Sequence, residues 1–252
     1  MTTEISSDKN NISHTLRELM SQRVLLLDGS MGVMIQRLGL SEEQFRGDLL
    51  AEHPVPLKGD NDILCLTSPE VVADIHRQYL EAGADIIETN TFNATTLSQR
   101  EYATDHLVRE INLAGARIAR READRYTTDL KPRFVAGSMG PTGLSASLSA
   151  DINDPAARSV TFCQMREAFA LQAGALIDGG VDLLIIETIF DALNAKAAIA
   201  GARDAMEKRH RDIPLVISMT VSDRSGRILS GHTPEALLSI IGHARPLAVG
   251  FN

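Results

Sequence analysis

The sequence predicts an α/β chain built on a parallel β-sheet. Three observations carry this. Two stretches are near copies: 83–92 reads GADIIETNTF and 180–190 reads GVDLLIIETIF. Each is a Gly-x-Asp turn, an apolar run and Glu-Thr, and an apolar run without polar alternation suits a strand covered on both faces. Strand and helix signals then alternate from about residue 23 onward. Finally, Glu88 and Glu187 fall where such strands end, the position from which a parallel barrel points polar side chains into its mouth.

Each element has a local reason. A first strand is expected at 24–28 (VLLLD), running through Gly29-Ser30-Met31-Gly32 into a helix that continues to Arg37. Ser68-Pro69, Asp154-Pro155 and Thr233-Pro234 each pair a capping oxygen with a proline that loses no donor at a first helical position, so each marks a helix start. The helix from Pro69 feeds a second strand at 84–89. Leu107, Ile111, Ala114 and Ile118 recur at helical spacing and predict a helix over 105–126. Further strands are expected at 133–138, 182–187, 214–219 and 246–250, with helices over 161–177, 192–209 and 234–243. That makes about six parallel strands, ordered sequentially. Periodicity alone leaves an incomplete eight-stranded barrel and a doubly wound sheet both open. The stretches 39–67 and 141–153 are the longest irregular ones, and both are candidate binding loops.

Composition narrows the class. The chain has 252 residues, 44% of them hydrophobic, and a formal net charge of −8. It is long enough for one large domain, and a (β/α)₈ barrel needs about 250 residues. The polar segment 1–16 is expected to be a disordered tail, and 17–252 a single barrel-type domain. No basic run argues for nucleic acid; the Arg-rich stretch 117–125 is interrupted by acids and reads as a solvated helix face. No apolar stretch reaches the ~18 residues that a membrane span requires. Cys65 and Cys163 make no metal motif, and without a secretion signal they suggest buried free thiols in a cytoplasmic protein.

Several residues could do chemistry. Asp28, Glu88 and Glu187 would form an acidic rim if they converge, suited to a cation, an ammonium group or a metal. Gly29-Ser30-Met31-Gly32 opens a helix and could offer backbone N–H groups to an anion such as a carboxylate. The glycine-rich loop 137–143, with Ser138, allows close backbone approach. His232 follows the fifth strand on the same face, while His76 and His106 fall in helix patterns.

The segments LLLDGSMGVMIQRLGL (25–40), FRGD (45–48), LKGDNDILCLTSPEVVADIHRQYLEAGADIIETNTFNATT (57–96), VAGSMGPTG (135–143), DINDPAARSVTF (151–162), IIETIFDALNAKAA (185–198) and LSGHTPEA (229–236) closely resemble the homocysteine-binding domain of cobalamin-dependent methionine synthases (5-methyltetrahydrofolate–homocysteine methyltransferases). The resemblance is collinear over about 17–252. It implies a TIM-type (β/α)₈ barrel, here incomplete with about six strands, that binds homocysteine at its C-terminal mouth. By residue-wise transfer, Asp28 and Glu187 would accept the substrate ammonium group. Backbone around Gly29, Ser30 and Met31 would take its carboxylate, and Glu88, Ser138 and Asn252 would complete the pocket.

The resemblance also implies a zinc ion on three cysteines and methylcobalamin as methyl donor, with folate- and cobalamin-binding domains as partners. The first zinc cysteine would directly follow Asn252, and neither Cys65 nor Cys163 matches a ligand position. The expectation is therefore that this 252-residue chain binds neither cofactor stoichiometrically and is inactive alone. Two alternatives are related: a non-catalytic truncated product, and a fragment of a betaine- or S-methylmethionine-type homocysteine methyltransferase. A third is an unrelated barrel lyase using Glu88 and Glu187 as acid and base.

Overall fold

In the computed structural model, residues 12–221 and 224–252 are described. A five-stranded sheet forms the frame: β1 (Ile86–Glu88), β2 (Phe134–Met139), β3 (Leu183–Ile189), β4 (Leu215–Met219) and β5 (Ala248–Phe251), in the spatial order β1-β2-β3-β4-β5. Every neighbouring pair is parallel. Sequential parallel strands joined by helices are the barrel order, and a doubly wound sheet would have reversed direction from a middle strand. The sheet is curved but not closed into a ring.

The strand expected at 24–28 is reduced to one parallel bridge between Leu27 and Ile86. The segment does lie beside β1: Asp85 N and Ile86 N both donate to Leu26 O, and Asp28 N donates to Ile86 O. The Leu26 N–H is taken by a side chain, Asp85 Oδ2 at 2.9 Å. Asp182 does the same in the second copy of the repeat, accepting from Val135 N at 2.8 Å. Each aspartate also takes an arginine, Arg23 for Asp85 and Arg120 for Asp182. The Gly-x-Asp turn is thus a device that pins a strand to its predecessor, made possible by left-handed glycines at Gly83 (φ 111°) and Gly180 (φ 96°).

Of the helices, the last five pack on the convex side and the first on the concave one. The helices are α1 (Ile12–Gln22), α2 (Met31–Leu38), α3 (Glu42–Arg46), α4 (Leu64–Thr67), α5 (Pro69–Ala82), α6 (Val108–Tyr126), α7 (Phe162–Gly179), α8 (Ala192–Lys208) and α9 (Pro234–Ile241). Thr161 and Gln164 form a capping box at α7, and Thr233 caps α9 through the Ala236 N–H, as its Pro-flanked position predicts. Ser68 does not cap α5; its hydroxyl donates to Gln44 O instead. Asp154-Pro155 starts no helix, because Asp154 closes a turn through the Ala156 N–H. The expected helix over 105–126 begins with a 3₁₀ turn and becomes α-helical at Val108.

Residues 12–16, expected in the tail, open α1 instead, since Leu16 buries against Phe134, Ala136, Leu183 and Ile185 on the concave face of the sheet. The remainder of that tail lies outside the described residues. The main core runs between the sheet and α6, α7 and α8, where the helices meet at small residues such as Gly201 and Ala198.

The Arg-rich stretch 117–125 is only partly a solvated face. Glu122 is fully buried, and Arg121 and Arg125 fold onto it. Cys163 is exposed, whereas Cys65 is buried. His76 is wholly buried, and burial lowers its affinity for protons to a pKa of about 4, so it packs as a neutral ring. Among the described residues no helix is long and apolar enough to cross a membrane.

Candidate functional site

At the C-terminal ends of the strands the concave face opens into a cavity of about 620 Å³. All eight residues singled out for binding line it: Asp28, Gly29, Ser30, Met31, Glu88, Ser138, Glu187 and Asn252. They are spread over the whole chain, and the parallel sheet alone brings them to one rim.

Asp28 sits just past the bridge at Leu27. Both of its carboxylate oxygens accept the Glu88 N–H, at 3.1 Å each. Burial pushes its pKa up to about 8; the Glu88 hydrogen bond opposes this, and the charge of Glu187 adds to it. Glu88, at the end of β1, is raised by burial first and then by the charges of Glu187 and Asp28. Glu187 accepts a hydrogen bond from the Ser138 hydroxyl on β2, which only partly offsets the upward push of its own burial. Three carboxyls in one desolvated pocket resist simultaneous ionisation. A cation entering among them would relieve that repulsion, so the arrangement suits a positive group.

The other wall is the start of α2. Ser30 is its cap, accepting the Val33 N–H. The helix begins with Met31, so its first-turn N–H groups lack partners within the helix and face an anion favourably. Gly29 lies tight against Tyr79: a Cβ there would meet the Tyr79 hydroxyl at 2.9 Å, and that hydroxyl donates to Ser30 O. Acidic groups and a helix N-terminus on one cavity match a zwitterion, with its ammonium toward the carboxyls and its carboxylate toward the helix.

Sequence reasoning passed over three contributors. Asp62 also lines the cavity, accepts the Asn93 N–H at 2.9 Å, and is raised to about 8 by burial and by Asp60. Asn90 ties the 57–63 loop to the end of β1 by donating to Asn61 O at 2.7 Å. Thr188 follows Glu187 in the left-handed region, at φ 57°. The only signals for these were the polar GDND run and the Glu-Thr pairs.

Other expectations fall away from the site. His232 faces the Ser230 hydroxyl, 3.0 Å from its Nδ1, and does not line the cavity. In the glycine loop, Gly140 serves chain packing, since a Cβ would lie 2.5 Å from Phe92 O.

The cysteines do not fit a zinc set. Cys65 Sγ donates to Asn90 O at 3.2 Å, and burial raises its thiol pKa further, while Cys163 stands exposed on α7. Among the described residues no three His, Cys, Asp or Glu side chains are grouped to hold a metal ion.

Comparison with known proteins agrees with this architecture. The homocysteine methyltransferase MmuM from Escherichia coli, in its metallated form, superposes with a TM-score of 0.71 at 21% identity, over 94% of this chain and 77% of that one. Its oxidized form gives 0.72 at 20% identity, over 94% and 76%. At that identity the likeness establishes the fold. The sequence itself matches the homocysteine S-methyltransferase family over residues 25–252. That span holds every strand and every cavity residue described above, and the chain therefore belongs to the homocysteine S-methyltransferase family of methyltransferases.

Proposed function

We propose that the mouth cavity binds homocysteine as a zwitterion and holds it for S-methylation to methionine. Asp28, Glu187 and Glu88 take the ammonium group. Backbone N–H groups at Gly29, Ser30 and Met31 take the carboxylate, and Ser138 and Asn252 border the remaining space. In the reaction the substrate sulfur forms a bond to the methyl carbon, the bond from that carbon to its donor breaks, and the thiol proton leaves. The described residues serve the amino-acid end of the substrate and supply no zinc set.

The observation that carries this reading is the convergence of three carboxyls and the α2 N-terminus on one cavity in a chain of this family. The motifs FRGD, LKGDNDIL and DALNAKAA further favour the cobalamin-dependent methionine synthases, and with them methylcobalamin as donor, folate- and cobalamin-binding domains as partners, 17–252 as one domain, and a cytoplasmic setting. A lyase using Glu88 and Glu187 is set aside by the family assignment.

Titration calorimetry with L-homocysteine and with 4-mercaptobutanoate, which lacks only the amino group, tests the recognition. Homocysteine should bind at least tenfold more tightly, the worth of about one charged hydrogen bond. Equal affinity for the two would overturn the reading.

A further inference from the structure

Thr188 is a β-branched residue with φ 57°, a backbone region that such side chains rarely enter. It lies in a bulge. Ile186 pairs with Ile217 and Ile189 with Met219, so three steps along β3 oppose two along β4. The bulge leaves Glu187 and Thr188 half-exposed side by side, while Ile186 and Ile189 are both buried in the outer core. A regular strand would have sent Thr188 outward and Ile189 into the mouth.

The same residue joins three strands. Its N–H donates to Ser218 Oγ on β4 at 3.3 Å, and its hydroxyl accepts from Asn252 Nδ2, just past β5, at 2.9 Å. Asn252 is anchored in turn by its own N–H to Met219 O. Glu187, Ser218 and Asn252 all line the cavity. Strain of this kind persists where the surroundings over-determine it, and it concentrates at functional sites.

We propose that Thr188 is a positioning residue of the substrate mouth: its left-handed backbone aims the Glu187 carboxyl, and its hydroxyl locks Asn252 to the same rim. The proposal rests on the homocysteine reading above. Glycine adopts φ 57° without strain, so Thr188→Gly should keep the bulge and lose the clasp. It should raise Tm by about 2–4 °C and yet weaken homocysteine about tenfold. Thr188→Val, which also lacks the hydroxyl, should weaken binding similarly. Thr188→Ser, which restores the hydroxyl, should bind within about twofold of the native chain. A residue with a purely structural role would not give higher stability together with lower affinity, nor rescue by serine.

The test is calorimetry and thermal unfolding on the 252-residue chain, with Glu187→Gln as reference. Native affinity in Thr188→Gly and Thr188→Val, with weakened binding in Glu187→Gln, overturns the positioning role alone. Native affinity in all three, or no homocysteine binding by the native chain, overturns the homocysteine reading and this proposal together.

Discussion

The Asp28 carboxylate receives the Glu88 amide proton on both oxygens, at 3.1 Å each. This one donor joins the segment carrying the α2 N-terminus to the end of β1, and it does so at the cavity. Where the strand at 24–28 is too short to form a ladder, a side chain holds the rim in register.

The first prediction follows from that geometry. Asp28→Asn and Glu187→Gln each remove one charge facing the ammonium pocket while keeping the side-chain shape. Each should weaken homocysteine by about 1–3 kcal/mol, the range for a hydrogen bond to a charged group. Calorimetry showing unchanged affinity in both variants would refute the assignment.

A second concerns pH. Asp28 titrates near 8 in the folded chain, against about 4 when unfolded. The folded state therefore holds more protons in between. The stability linked to Asp28 is complete below pH 4 and disappears as pH rises through 8. Asp62, raised to about 8, acts in the same direction. The urea midpoint should fall between pH 6 and pH 9, and fall less in Asp28→Asn; an equal fall in both chains would contradict the assignment. Because an ammonium group favours the ionised carboxyls, homocysteine binding at pH 7 should also release protons. Calorimetry in two buffers of different ionisation enthalpy reads that release directly.

A third concerns Asp191, which caps α8 through the Leu193 N–H at 2.8 Å and holds the 145–147 loop through the Ser147 N–H at 3.1 Å. Burial raises its pKa, but hydrogen bonds from Ser145, Ser147 and Leu193 outweigh that and leave it lowered. Asp191→Ala should cost about 2 kcal/mol in urea unfolding, the upper end for a lost helix cap. A loss below about 0.5 kcal/mol, the lower end of that range, would show that the cap is idle.

The fourth tests the α7–α8 contact. A Cβ on Gly201 would lie 2.5 Å from Arg166 O and 2.7 Å from Ala170 N, both backbone atoms that cannot swing aside. Gly201→Ala should destabilise by about 1–3 kcal/mol despite alanine's better helix propensity. A stabilised variant would show that the helices can separate at no cost.

Much of this protein was legible before folding. The runs at 84–89 and 180–190 are unalternating and apolar because parallel strands are covered on both faces, and that pattern needs no tertiary information to read. The carboxylates at their ends follow from the same register, which is why Asp28, Glu88 and Glu187 could be named together. The pinning roles of Asp85 and Asp182 were hidden in the same repeat, since a side chain that bonds a neighbouring strand's backbone leaves no periodic mark. Ser68 and Asp154 carry the local chemistry of a helix cap, yet tertiary packing gave the Ser68 hydroxyl to Gln44 O, and Asp154 spends its carboxylate on a local turn with the Ala156 N–H. Residues 12–16 read as tail because they continue the polar start MTTEISSDKNNISH, and only the concave apolar face made Leu16 a core residue.

By itself, the sequence determined the order of strands and helices, the family, and which acids end the strands, because these depend on local periodicity and motif. Tertiary structure alone decided how far the carboxyls are desolvated, that the 24–28 segment is a bridge and not a strand, and that Thr188 bends β3 into a left-handed bulge clasped to Asn252. Each of these depends on atoms distant in sequence that meet at one rim, and no local pattern encodes that distance.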